Sequence, residues 1–418
     1  MEAVLVYQEY FLKKKKNIES LLGHFKQMGE KVAVWGAGQR GLAFLQVYDP
    51  QQNYIAYVYD IDEKRYGDSL ITGHKIVSYK ECYADVVLVM NCLYEMDIRE
   101  TLQREGINTA IINIDTLILG DLQLEDVITP GGLDLQPVRN IKMAALTILY
   151  HPTDKTIQNL NSYAAQFEKI YIYDNTETPT SDIQDKLLLL KNAVYISEGE
   201  NKGLSKVINQ ICRLAVKEGF DWLITFDQDS RPLDGMVPQM AAFANSAMCS
   251  DSIGLIAPNI LGKEIVHYDI YCTYFDKVFQ SGAMHSLKAW DMVGGYDEKL
   301  FIDQVDYEYC VRMRLSGYKI IKINNAYMEH NLDDDEVEIQ WQEGHKVYIN
   351  KYSPMRYYHI LKNNLYLYDK YQSRDKIYAL ECENNIKNIR KNAKYDNHRE
   401  ENEKALRQAE TDYREQQI

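Results

Sequence analysis

Short β-branched and aromatic runs alternate with amphipathic stretches from about residue 31 to residue 115: KVAVW, RGLAFLQVY, YIAYVYD, DVVLVM, MDIRETLQREG and TAIIN. Apolar runs bounded by turn residues read as buried strands, and the helical spacing between them reads as crossovers, so this region predicts a small parallel sheet of βαβ units. A second series begins at MAALTILY. It continues through a helix with Ile157, Leu160, Tyr163, Ala164 and Phe167 on one face and then the strands KIYIYDN and AVYIS. A helix carrying Leu204, Val207, Ile208, Ile211, Cys212 and Ala215 follows, and then the strand WLITF. Between the two series LGDLQLEDVITPGGLDLQP is polar, holds Gly131-Gly132 and two prolines, and reads as a linker. Beyond YMEH the chain turns acidic, then aromatic and basic, and from about residue 381 it is charge-dense, which predicts a solvated or partly disordered helix. The expected organisation is a Rossmann-like domain over 1–125, a linker over 126–140, a second α/β domain over 141–335 and a helical extension over 336–418.

A length of 418 residues supports more than one core. The formal charge of −14 argues against a nucleic-acid binder, which needs a basic surface to neutralise phosphates. Seven cysteines without a CxxC pair suit a reducing cytoplasm. The opening residues lack the order of a signal peptide, and no segment reaches the ~18 apolar residues of a membrane span. The expected location is the cytoplasm, with peripheral contact at the inner face of the plasma membrane as one reading of Lys13–Lys16 and of the segment Tyr352–Tyr371. The other readings are a solvated helix face for the lysines, and packing on the domain or across a homo-oligomer interface for the tyrosines.

Two stretches carry candidate chemistry. VWGAGQRG sets Gly36, Gly38 and Gly41 between a strand and a helix, and Asp60 ends the next strand. Glycines there let a backbone approach a pyrophosphate at the helix N-terminus, and the acid can bind a ribose hydroxyl. Turn packing alone also wants glycine, so a nucleotide loop and a scaffold both fit. The second stretch, WLITFDQDSRP, ends an apolar run in Asp227 and Asp229. Residues two apart in a strand share a face, so the two carboxylates are expected to converge at its C-terminal end, where α/β sheets bind ligands. A divalent cation bridging to a diphosphate would relieve their repulsion; a capped turn is the alternative.

The motifs LTILYHP, IYIYDNTE, ENKGLSKVINQ, DWLITFDQDS, SGAMHSLKAWDMVGGYDEKLFIDQVDYEYCVRMRLSGYKI and SPMRYYHILKNNLYL, in this order over roughly residues 141–370, resemble the inverting family 2 glycosyltransferases of GT-A fold. Within that family the DQDS element is similar to bacterial rhamnosyltransferases. VYDIDEKRYGDSLITGHKI resembles the Rossmann-like domains at the ends of some sugar C-methyltransferases and acyltransferases. The resemblance implies an α/β chain with a GT-A (nucleotide-diphospho-sugar transferase) domain that takes a dTDP- or UDP-sugar, rhamnose favoured, and passes the sugar to a growing cell-surface polysaccharide or lipid-linked oligosaccharide. Galactofuranose or another hexose stays open as the donor sugar, and a nucleotide-sensing scaffold with an inactive transferase half is the third reading.

Residue by residue, the resemblance implies nucleotide-sugar contacts by Tyr150, His151, Asp174, Asn201, Gly203, Asp227, Ser281 and Gly282. It implies metal ligation of Mn2+ or Mg2+ by Asp229 and His330, and an acceptor side at Gly295, Tyr296, Asp297 and Trp290, with Gly294 in the same turn. Asp306 falls at the catalytic base, a role that needs a pKa raised by desolvation and neighbouring acids, for which Asp303 and Glu308 are at hand. Trp290 on its helix-like stretch equally suits a core position, a lone histidine equally suits a structural one, and Asp303 and Glu308 suit the start of a helix.

Overall fold

The four apolar runs of the first series become strands β1 (Val32–Trp35), β2 (Ile55–Tyr59), β4 (Val86–Val89) and β5 (Ala110–Asn113), joined by a two-residue β3 (Ile76–Val77). The computed structural model describes residues 2–12, 15–90, 95–114, 137–246, 249–261, 272–330, 337–342, 345–396 and 398–415. All five strands pair in parallel in the order β3-β2-β1-β4-β5, the parallel sheet that the βαβ pattern predicts. Helices α1 (Glu2–Leu12), α2 (Lys15–Met28) and α3 (Gln39–Tyr48) cover one face, burying Phe11, Leu22, Phe25 and Phe44 against Val32, Val34 and Leu88. α4 (Glu95–Arg104) covers the other with Ile98 and Leu102 against Ala33 and Val87. Burial on both faces explains why these strands read as continuous apolar runs.

By spatial clustering, residues 1–133 with 261–276 form one unit, and residues 134–260 with 277–418 form a second. The predicted linker over 126–140 lies mostly outside the described residues, as do Lys13 and Lys14 and the first acidic residues after His330.

The sheet of the second unit contains β6 (Met143–Leu149), β7 (Ile170–Asp174), β8 (Ala193–Ser197), β9 (Trp222–Asp227), β10 (Ser230–Pro232), β11 (Ile253–Ile260), β12 (Met284–Ser286) and β13 (Lys319–His330). They lie in the order β10-β13-β11-β12-β9-β6-β7-β8. β9, β6, β7 and β8 are parallel, whereas β12 runs antiparallel to both β9 and β11. The helices α5 (Asp154–Tyr163), α6 (Ser181–Leu188), α7 (Leu204–Lys217), α8 (Met236–Asn245), α9 (Leu287–Met292) and α10 (Val305–Leu315) connect them. Strand β6 has β7 on one side and β9 on the other, so chain order reverses there and a crevice opens beyond the C-terminal ends of β6 and β9.

The extension is more structured than its composition suggests. It opens with an antiparallel hairpin, β14 (Val337–Gln342) and β15 (His345–Asn350), where helix alone was expected. Three helices follow, α11 (Pro354–Tyr371), α12 (Lys376–Tyr395) and α13 (Arg399–Glu415). Ser353 accepts the Arg356 N–H at 3.3 Å and Pro354 takes the first helical position, a strong start signal for α11. Tyr357, Leu361, Ile386, Ile389, Ala393, Leu406 and Ala409 form a core among the three helices. The charge-dense end is therefore a packed helix and not a solvated tail: its apolar residues are few, but Leu406 and Ala409 recur at helical spacing on one face.

Candidate active site

Trp222 to Phe226 are buried on both faces of the sheet, and Asp227 is the last residue of β9, paired with Ile148 of β6. Gln228 and Asp229 form a turn and Ser230 begins β10. The carboxylates thus converge through a turn, and not along one strand face as the two-residue spacing predicts. Gln228 fixes that turn: its Oε1 accepts the Tyr150 N–H at 2.9 Å and its carbonyl accepts from Asn159 Nδ2 at 3.1 Å.

The partner that completes the cluster comes from far along the chain. β10 pairs antiparallel with β13 so that Ser230 faces His330. Ser230 Oγ lies 2.7 Å from His330 Nδ1 and 2.7 Å from Ser281 Oγ, and Ser281 Oγ also accepts the Asp227 N–H at 2.9 Å. His330 Nδ1 is 3.5 Å from Asp229 Oδ1. One ligand atom each from Asp227, Asp229 and His330 lies within 4.8 Å of the others. Desolvation in the crevice, with the charge of Asp229 beside it, pushes the Asp227 carboxyl up to about 7, against the pull of the Gln280 amide. Two oxygens and an imidazole nitrogen around crowded negative charge fit a divalent cation such as manganese or magnesium.

Asp306 lies in the first turn of α10. Burial pushes its carboxyl up to about 6; the N–H groups of Tyr307 and Gln280 pull it down, and the charge of Asp227 adds to the rise. The neighbouring acid is thus Asp227 across the crevice and not Glu308. Glu308 is fully buried, gripped by Arg312 at 2.7 and 2.9 Å, by Lys370 Nζ at 2.7 Å and by the Tyr371 hydroxyl at 2.8 Å. Helix-start placement holds for Glu308, but its work is to tie α10 to α11.

The other predicted residues divide. Tyr150 is exposed at the end of β6, and His151, with φ 47°, follows it beside Thr176 and Glu177. Asp174 is fully buried, and both oxygens serve the fold, one accepting the Thr176 N–H at 2.9 Å and the other the Tyr195 hydroxyl at 2.8 Å. Its place is therefore inside the turn wall, not at an open base pocket. Asn201 Oδ1 accepts the Gly203 N–H at 3.0 Å. Gly203 has φ 75°, and a Cβ there would lie 2.6 Å from the Phe301 ring and carbonyl, so the glycine answers to packing. A side chain at Gly282 would collide with Pro258 and Met328, and one at Gly295 with Asn209 and Trp290.

The expected acceptor side is largely core. Trp290 is buried and donates from Nε1 to Asn209 Oδ1 at 3.0 Å. Tyr296 is buried and stacked on Tyr309 at 4.0 Å, with its hydroxyl 3.4 Å from His285 Nδ1. Asp297 is taken by Lys370 Nζ at 2.6 Å and the Tyr366 hydroxyl at 2.7 Å. Apolar and aromatic residues at this position pack because α9 lies over the sheet, and none of Trp290, Gly295 and Tyr296 offers a face to an acceptor.

In the first unit, a Cβ on Gly41 would lie 1.8 Å from the Gly36 carbonyl, whereas open space adjoins Gly38. The Asp60 carboxylate is held by Arg65 Nη1 at 2.6 Å and the Asp62 N–H at 3.0 Å, and Arg65 also reaches the Ala37 carbonyl at 3.2 Å. Arg65 thus ties Asp60 to the glycine loop. Sequence reasoning missed Gln228, Ser230 and Gln280; for Gln228 and Ser230 the DQDS string was the available signal, and for Gln280 only tertiary contacts carry it.

Residues 151–283 match the family model described as glycosyl transferase family 2, and residues 1–109 match that of a C-methyltransferase C-terminal domain. A dTDP-rhamnosyl transferase, RfbF of Shigella flexneri, is 26% identical over 254 residues, covering 55% of this chain and 81% of that protein. Among solved structures, GalNAc-T7 with UDP, GalNAc and Mn2+ is similar at TM-score 0.40 and 10% identity, covering 58% of this chain. Residues 1–349 of S. aureus TarS in complex with UDP-GlcNAc are similar at TM-score 0.39 and 13% identity, covering 65% of this chain and 80% of that one. The chain spans 53% of the GalNAc-T7 chain. Among the described residues no helix is long and apolar enough to cross a membrane. The matched segment lies on this α/β sheet and its acidic crevice, so residues 151–283 form a domain similar to the family 2 glycosyltransferases.

Proposed function

We propose that this glycosyltransferase moves a sugar, rhamnose in the favoured reading, from a dTDP- or UDP-activated donor to a hydroxyl of a growing cell-surface glycan or lipid-linked oligosaccharide, with inversion at the anomeric carbon. The observation that carries the reading is the grouping of Asp227, Asp229 and His330 at the sheet crevice with Asp306 close enough to feel the charge of Asp227. The relative from Shigella flexneri supports rhamnose and dTDP. The three-residue cluster would hold a divalent cation, which supplies charge neutralisation for the departing nucleoside diphosphate.

Asp306 accepts the proton of the acceptor hydroxyl as the acceptor oxygen bonds to the anomeric carbon. The bond from that carbon to the diphosphate oxygen breaks, and its electron pair leaves with the nucleotide. Attack opposite the leaving group turns a β-L-rhamnosyl donor into an α-linked product. A carboxyl held near 6 is mostly ionised at neutral pH yet basic enough to take that proton. Ser281 and Ser230 hold the Asp227 backbone and His330 in place, and the first unit acts as scaffold.

The test is a panel of dTDP- and UDP-sugars with manganese or magnesium, scored for release of nucleoside diphosphate, with Asp229→Asn and Asp306→Asn alongside. Release from one donor, abolished by EDTA and by both substitutions, is expected. Silence with every donor, together with no metal-dependent nucleotide binding by calorimetry, overturns the reading.

A further inference from the structure

The helix that carries Asp306 is entered through a turn in which Asp303 and Gln304 both have φ of 62°. This left-handed conformation is disfavoured for residues with a Cβ, and two in succession persist only where neighbours over-determine them. The neighbours are C-terminal helices. Asn363 of α11, 3% exposed, donates from Nδ2 to the Ile302 carbonyl at 2.6 Å and to the Asp303 carbonyl at 3.0 Å. Tyr378 of α12 donates its hydroxyl to Gln304 Oε1 at 2.9 Å.

The same helix grips the segment on both sides of that turn. Before it, His359 stacks on Phe301 at 5.0 Å, and the Phe301 carbonyl accepts the Leu204 N–H at 2.8 Å, which joins α11 to the start of α7. Lys370 then bridges Asp297, before the turn, at 2.6 Å and Glu308, after it, at 2.7 Å. Asn363 stands at the centre of this grip. Its carboxamide has two N–H bonds to give to two consecutive carbonyls, which aspartate lacks and serine supplies only once.

We propose that Asn363 is a positioning residue for the Asp306 base: by holding the carbonyls of Ile302 and Asp303 it sets the left-handed turn that aims α10, and the C-terminal helices are part of the catalytic device. The inference rests on the transferase reading above. It assigns α11 a role in turnover that neither packing nor nucleotide binding requires, because the turn lies on the base side of the crevice.

Asn364 supplies the internal control. It is buried beside Asn363, but its Nδ2 donates within α11 to the Ile360 carbonyl at 2.8 Å and its Oδ1 accepts from Asn385, with no bond to the turn. Asn363→Asp, Asn363→Ser, Tyr378→Phe and Asn364→Ser are compared in the full chain for kcat and KM with the donor that the wild type turns over. Metal-dependent binding of the nucleoside diphosphate and the thermal midpoint are measured beside them. Misaiming a base by about an ångström costs up to roughly a hundredfold. The expected pattern is a kcat loss of about tenfold to a hundredfold for Asn363→Asp, a smaller loss for Asn363→Ser and Tyr378→Phe, and unchanged nucleotide affinity in all three. Asn364→Ser is expected to lower the midpoint alone. The proposal is overturned if Asn363→Ser and Asn363→Asp keep kcat within about twofold of wild type, or if Asn364→Ser loses as much kcat as they do. An active wild type with active Asn363 variants removes only this proposal, whereas a wild type that turns over no donor and shows no metal-dependent nucleotide binding removes the transferase reading with it.

Discussion

Replacing Asp306 by asparagine should separate the stability cost of the site from its chemistry. Burial raises the Asp306 carboxyl from its ordinary 3.8 to about 6. The folded protein therefore holds this proton more tightly than the unfolded chain. Its stability falls as pH climbs from the unfolded value through the folded one, and the full penalty is present at neutral pH. A displacement of about two pH units corresponds to roughly 3 kcal/mol, and partial exposure of the group to the crevice reduces this to about 1–3 kcal/mol. Asparagine removes the charge and keeps an oxygen for the Tyr307 N–H, 2.9 Å from Oδ1. At about 2–4 °C per kcal/mol, Asp306→Asn raises the thermal midpoint of metal-free protein by about 2–12 °C near pH 7.5 and by about a third as much near pH 4.5. Turnover falls by roughly 10²–10⁴-fold in the same variant, and wild-type kcat/KM climbs about tenfold per pH unit below 6 before flattening. Thermal denaturation at the two pH values and a pH–rate profile make the assay. A midpoint at neutral pH equal to or below that of the wild type, or a rate profile flat from about pH 5 to 8, would refute the reasoning.

Asp229→Asn and His330→Ala each remove a member of the cluster, and manganese affinity followed by electron paramagnetic resonance should fall by at least the roughly 10–100-fold that even an outer-shell partner is worth; unchanged binding would place the cation elsewhere. Gly203→Ala forces a side chain into φ 75° and to within 2.6 Å of Phe301. Strain and overpacking together predict a loss of about 2–5 kcal/mol in urea unfolding, and an unshifted midpoint would contradict the packing account. In the first unit, Gly41→Ala meets the Gly36 carbonyl at 1.8 Å and should cripple folding, while Gly38→Ala enters open space and should stay within about 0.5 kcal/mol of wild type; equal behaviour of the two would sink this assignment of roles.

The βαβ alternation, the apolar strand ending in Asp227, and the glycine loop are local patterns, set by propensity and by which side chains must leave water, so the chain alone determined them. What lay beyond its reach depends on which distant segments meet. The resemblance names His330 as a ligand beside Asp229, but their meeting rests on β13 pairing with β10, a register set by the whole sheet that the pattern of residues alone does not show. Trp290 read as sugar-facing or core and Tyr296 as part of the acceptor side, and only the packing of α9 and α10 buried them. The charge-dense end shows few apolar residues, yet α11 and α12 supply the complementary face that buries Leu406 and Ala409. Asn363 is one more asparagine in an amphipathic helix until that helix is laid against the carbonyls of Ile302 and Asp303. Secondary structure and the strand-end acids follow from near neighbours, whereas the completed site follows from long-range closure, whose geometry is fixed by the packed sheet and its covering helices.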